Sequence, residues 1–112
     1  MASEQLLNFI DTLYVQTFEG LVDWTVAVDD VSIQTSFEKE SVIITVWNNT
    51  YSFRLMNSEG EIVYNVVESD WEKTSDLAHE KLARLYNLGR TKALGIDKII
   101  ERLNSEVSLR RK

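Results

Sequence analysis

The chain is predicted to be a single α+β domain. Three observations carry this. Residues 31–67 hold four apolar-rich runs separated by short polar turns, the mark of an antiparallel meander. A helix-periodic segment precedes them, and two more follow. There is no proline, and Gly20 and Gly95 stand at helix ends.

The first segment, residues 3–19, places Leu6, Phe9, Ile10, Leu13, Tyr14 and Phe18 at helical spacing, with Leu7 and Val15 widening the stripe. Ser3 is the expected N-cap, with Glu4 favourable in the first turn. Residues 21–30 read as an extended crossover that lays Trp24 on the core and is able to cover part of the sheet. The alternation of Val22, Trp24, Val26 and Val28 leaves a short extra strand as the alternative, with Asp29-Asp30 breaking the pattern.

The predicted strands are 31–38, 41–47, 50–56 and 61–67, rich in Val, Ile, Thr, Tyr and Phe. Turns are expected at Lys39-Glu40, at Asn48-Asn49 and over Asn57–Gly60, since Asn and Gly tolerate positive φ. These turns would pair Phe37 with Val42, Val46 with Tyr51, and Leu55 with Ile62. One face then holds Ile33, Thr35, Phe37, Val42, Ile44, Val46, Tyr51, Phe53, Leu55, Ile62, Tyr64 and Val66. A one-residue slip of any strand would break that agreement. The first helix and at least one C-terminal helix are expected to cover this face.

After Trp71 a second helix is expected over residues 74–94. It starts at Thr74 or Ser75, with Ala78, Leu82, Leu85, Gly89 and Ala93 in one stripe and Tyr86 beside it. Gly89 inside the pattern signals close packing or a kink. A third helix, residues 98–109, would start at an Asp97 cap and carry Ile99, Ile100, Leu103 and Val107 on its apolar side. The tail Arg110-Arg111-Lys112 is expected to fray.

Hydrophobic residues are 44% and charged residues 27% of 112, ordinary for one globular domain. With no cysteine and one histidine, no disulfide framework, thiolate chemistry or Cys/His zinc site is expected. His79 reads as an exposed helix residue. The carboxylates at Asp29-Asp30 and around Glu68–Glu72 read as turn and loop residues. No glycine-rich phosphate loop follows a strand. An enzyme is therefore not expected, and neither is a cofactor. The N-terminus lacks a signal-peptide pattern, and no apolar run is long enough to span a bilayer. The expected location is the cytoplasm, with no membrane partner.

The net charge of −6 is unevenly spread: residues 1–72 carry −11 and residues 73–112 carry +5. Charge of this kind bears on partners rather than on fold. Nucleic-acid binding through Arg84, Arg90, Lys92, Lys98, Arg102 and the terminal Arg110-Arg111-Lys112 is one reading, opposed by the acidic remainder of the chain. A small-ligand pocket near Trp24 and Trp71 is another.

The second face of the sheet points elsewhere. It mixes Ile43, Trp47, Met56, Val63 and Val67 with Thr45, Ser52, Arg54 and Asn65, less polar than a face meeting water. Either another segment covers it or it is a docking patch. The second reading makes Trp47 the anchor, Ile43, Met56 and Val63 its apolar surround, and Arg54 a polar contact. In element order, size and acidity the chain is similar to small adaptor or chaperone-like proteins. The expected function is a non-enzymatic protein-interaction module, self-associating or bound to a protein partner.

Overall fold

The computed structural model describes residues 4–110. In order these form α1 (Glu4–Phe18), β1 (Thr25–Val26), β2 (Ile33–Ser36), β3 (Glu40–Trp47), β4 (Thr50–Asn57) and β5 (Ile62–Val67). A 3₁₀ segment (Glu68–Thr74), α2 (Ser75–Ala93) and α3 (Ile96–Leu109) follow. The fold is α+β, as the sequence pattern predicts. The proposed Ser3 cap and the last two tail residues lie outside the described range.

The sheet has five antiparallel strands in sequence order, one more than expected. The addition is β1, which pairs Thr25 with Gln34 and Val26 with Ile33. The crossover reading of residues 21–30 is corrected to that extent, although Trp24 does reach the core, 4% exposed. The strand is short because the chain reverses at Asp29-Asp30. The Asp29 carboxylate accepts from the backbone N–H of Val31 (3.0 Å) and of Ser32 (2.8 Å) and from the Ser32 hydroxyl (2.7 Å). Asp30 adopts φ 60°. The two backbone donors, then the hydroxyl, hold the Asp29 carboxyl below its ordinary value of 3.8. Its stabilising contribution is complete above that value and is lost as pH falls through the depressed folded one. In acid unfolding, the stability gap between the wild type and Asp29→Ala is therefore expected to close toward low pH.

The β3–β4 hairpin forms in the expected register, Val46 opposite Tyr51 and Ile44 opposite Phe53. Asn48 and Asn49 have φ 50° and 60°, the two positive angles that a tight hairpin turn of this twist requires. The other two hairpins are corrected. In β2–β3, Thr35 faces Val42 rather than Ile44. The turn closes one residue earlier, on the bond from Phe37 N–H to the Glu40 carbonyl (2.7 Å). That shifts the pairing by two residues, so every side chain keeps its face. In β4–β5, Leu55 faces Tyr64 but Met56 faces Ile62, leaving Val63 as the extra residue of a bulge. The Asn57 side chain sets this end, accepting from Glu59 N–H (3.0 Å) and Glu61 N–H (2.9 Å).

The core lies between one sheet face and the two long helices. Leu6, Leu7, Ile10 and Leu13 of α1 and Ala78, Leu82, Leu85 and Tyr86 of α2 close over Ile33, Val42, Ile44, Tyr51, Phe53 and Val66. The Phe9 ring meets Phe53 edge-on, with centroids 6.4 Å apart. Fully buried Thr17 accepts the Trp24 indole N–H at 2.8 Å, so neither polar atom is left without a partner. Phe37, Ile62 and Tyr64, expected in this core, are instead exposed.

Gly89 lies where α2 passes closest to the sheet. A Cβ there would stand 2.7 Å from Ile33 Cδ1 and 3.2 Å from Trp24 Cγ. Since α2 runs unbroken through it, the glycine serves close packing, not a kink.

The last element departs from the layer. Gly95, at φ 64°, turns the chain out of α2. It stands at the N-terminus of α3, so Asp97 falls in the first turn rather than at the cap. No residue of α3 is buried. The radius of gyration is 16.3 Å, against about 13 Å for a compact chain of this length. The longest dimension is 60 Å.

Candidate interaction surfaces

Three apolar surfaces lack a partner in the described structure. The first is the sheet face turned away from α1 and α2. Register places Ile43 opposite Arg54 and Ser41 opposite Met56, and paired residues project to the same side. Ile43, Arg54 and Met56 are half-buried there, and none of them belongs to the core cluster that α1 and α2 close over. Arg54 Nε donates to Asn65 Oδ1 at 3.4 Å. Trp47, at the end of β3, is 78% exposed. Four of the five expected patch residues thus share the open face.

The fifth, Val63, does not. The bulge at Leu55/Met56 reverses the alternation of β5 beyond it, sending Val63 to the helix-facing side and Ile62 to the open side beside Met56. Val63 thereby joins the second surface. This is a groove of about 500 Å³ lined by Phe9, Phe37, Glu40, Val42, Leu55 and Val63. It is the end of the helix-facing sheet surface that α1 and α2 leave uncovered.

The third surface is α3. Ile99, Ile100, Leu103 and Val107 form the expected apolar stripe, but each is 40–59% exposed. The sequence marks the stripe. Only its lack of cover is new.

Part of the charge asymmetry is satisfied within the chain. Lys81 and Arg84 of α2 both pair with Asp11 of α1, and Arg84 also sits 4.0 Å above the Tyr14 ring. Arg90 reaches both the carboxylate of Asp30 (3.6 Å) and its backbone carbonyl (3.0 Å). The Tyr86 hydroxyl donates to the Val31 carbonyl, tying α2 to the loop before β2. Among the described residues, Lys98 and Arg102 of α3 and the following Arg110 have no such acidic partner.

His79 is not the free solvent-side residue expected from its position. It is half-buried, with Nδ1 2.8 Å from Glu68 Oε2. The same carboxylate oxygen accepts the Tyr51 backbone N–H at 3.0 Å. The Tyr51 ring stands edge-on to His79 (5.3 Å) and to Tyr86 (5.5 Å). Burial, with Tyr86 and Glu68 close by, raises the Tyr51 phenol above its ordinary value. These groups stitch β4 to the 3₁₀ segment and α2. Glu68 and His79 are eleven residues apart, a separation that no local pattern marks.

Trp24 and Trp71 are each 4% exposed, so both are core residues. No group of three or more His, Cys, Asp or Glu side chains suited to a metal ion occurs among the described residues. No described helix is long and apolar enough to cross a membrane. In comparisons with known proteins, the chain has no significant match to a family model, a curated protein or a solved structure.

Proposed function

We propose that this chain is a non-enzymatic protein-interaction module that associates with itself, an adaptor or chaperone-like protein of the cytoplasm. The observation that carries the reading is α3, a 14-residue amphipathic helix with no buried residue. Helices this short are marginal alone in water, and their stability in proteins comes from burying an apolar face. A stripe held half-exposed supports a function in which that face is covered by another molecule. The open sheet face around Trp47 supports the same class of function. The ion pairs that engage Lys81, Arg84 and Arg90 favour a protein partner over a nucleic acid, because those cations already have carboxylates.

The test is solution mass by light scattering across concentration, at low and high salt. The monomer is 12.9 kDa. The expected result is a mass that rises with concentration toward twice that value. A monomer mass at every concentration would remove self-association.

A further inference from the structure

We infer that two copies of this chain exchange their α3 helices, each α3 lying in the groove of the other copy between Phe9 and the bulge at Val63. The inference rests on the self-association proposed above and names its contact.

Each copy holds an apolar helix without a groove and an apolar groove without a helix. Their sizes agree. A deleted leucine side chain leaves a cavity of about 150 Å³ at most, so 500 Å³ takes roughly three to four large aliphatic side chains. The α3 stripe offers four: Ile99, Ile100, Leu103 and Val107.

Charge agrees as well. The turns bounding the groove carry Glu38, Glu40, Glu59 and Glu61 against Lys39, and among the described residues none of these is in an ion pair. The unpaired cations Lys98 and Arg102 flank the stripe on one side of α3, with Glu106 beyond them. Asp97 and Glu101 flank it on the other. One seating of the helix therefore sets Lys98 and Arg102 over the glutamate rim. Arg110 follows at the C-terminal end.

Area separates this arrangement from the simplest competitor, α3 packed on α3. A helix of this length is about 21 Å long and 10 Å wide, a footprint of roughly 200 Å². One α3–α3 contact hides roughly 400 Å² in all, well short of the ~1,000 Å² typical of a specific interface. Reciprocal exchange makes its contact twice, roughly 800 Å² by the same footprint, and a groove that wraps more of the helix than a flat neighbour does brings it to the size of a specific interface. It also closes with two-fold symmetry, so assembly stops at the dimer.

Three variants of the full chain test this by light scattering: Leu103→Asp on α3, Val63→Glu in the groove and Trp47→Ala on the open face. All three positions are substantially exposed, and circular dichroism checks that each variant is folded. The wild type is expected to be a dimer, weakened by high salt. Leu103→Asp and Val63→Glu should each raise the dissociation constant at least 100-fold, with Trp47→Ala unchanged. Mixing the first two should recover part of the dimer, since one intact helix and one intact groove meet in the pair. The chain has no cysteine, so single Leu103→Cys and Val63→Cys proteins give a direct readout. Mixed and oxidised, they should form a disulfide to each other in preference to themselves.

If Leu103→Asp is monomeric while Val63→Glu remains dimeric, α3 pairs with α3 and the exchange is wrong. If only Trp47→Ala dissociates, the open face is the interface and the exchange is again wrong. Both outcomes leave self-association standing. A wild type that is monomeric throughout overturns the exchange and the self-association together.

Discussion

Trp24→Ala is expected to destabilise the domain by about 3–5 kcal/mol, the range for removing a large aromatic from a packed core. Trp24 is buried against Gly89 of α2, and its indole N–H is bonded to a Thr17 hydroxyl that has no access to water. Truncation opens a cavity and strands that hydroxyl. Small domains hold only about 5–15 kcal/mol, so the loss is a large share of the total. The same substitution at Trp47, which is 78% exposed, should change stability by no more than about 0.5 kcal/mol. Urea unfolding followed by far-ultraviolet circular dichroism measures both. A Trp47→Ala protein as damaged as Trp24→Ala would mean that the open face is covered and that the patch assigned to it is core.

Gly89→Leu should cost about 3 kcal/mol, and Gly89→Ala about 1 kcal/mol. Two effects oppose each other at this position. Alanine in place of a helical glycine contributes about 1 kcal/mol of helix propensity. Its methyl group, however, would stand 2.7 Å from Ile33 Cδ1 and about 3.2 Å from the Trp24 ring. Ile33 is fully buried and the indole is tied to Thr17, so neither can swing aside freely. Overpacking of this kind costs about 1–3 kcal/mol and outweighs the propensity gain. Ile33→Val removes the very Cδ1 atom that Gly89→Ala would strike. The double variant Gly89→Ala/Ile33→Val should therefore be more stable than the sum of the single losses by about 1 kcal/mol. Strict additivity of the two would show that Gly89 is there for a reason other than the approach of helix to sheet.

The open face was legible for Ile43, Trp47, Arg54 and Met56 because all four lie on the two strands joined by Asn48-Asn49. A tight two-residue turn leaves one register, and alternation does the rest. Val63 was misplaced because it is the extra residue of a bulge. The extra residue is admitted by the Asn57 side chain gathering the Glu59 and Glu61 amides, an arrangement that the composition of the turn does not announce. A two-residue error in the first hairpin did no harm, whereas a one-residue bulge in the last moved Val63 and Ile62 to opposite faces. The difference lies in the two-residue repeat of a strand.

The groove could not have been found in the chain itself. Its lining comes from α1, β3, β4, β5 and the turn after β2, and it exists only because α1 and α2 stop short of that end of the sheet. Likewise α3 announces its stripe in its own residues, but whether a stripe is covered depends on where the preceding turn aims it.

What the sequence by itself determined is local. Helix and strand periods, the positive-φ asparagine turn and the face of most strand residues follow from interactions within a few positions of the chain. Tertiary structure alone decided that Trp71 lies inside, which cations of the basic third find carboxylates, and which apolar faces stay open. Each of those outcomes depends on how elements far apart in sequence approach one another, and short-range periodicity carries no information about that approach.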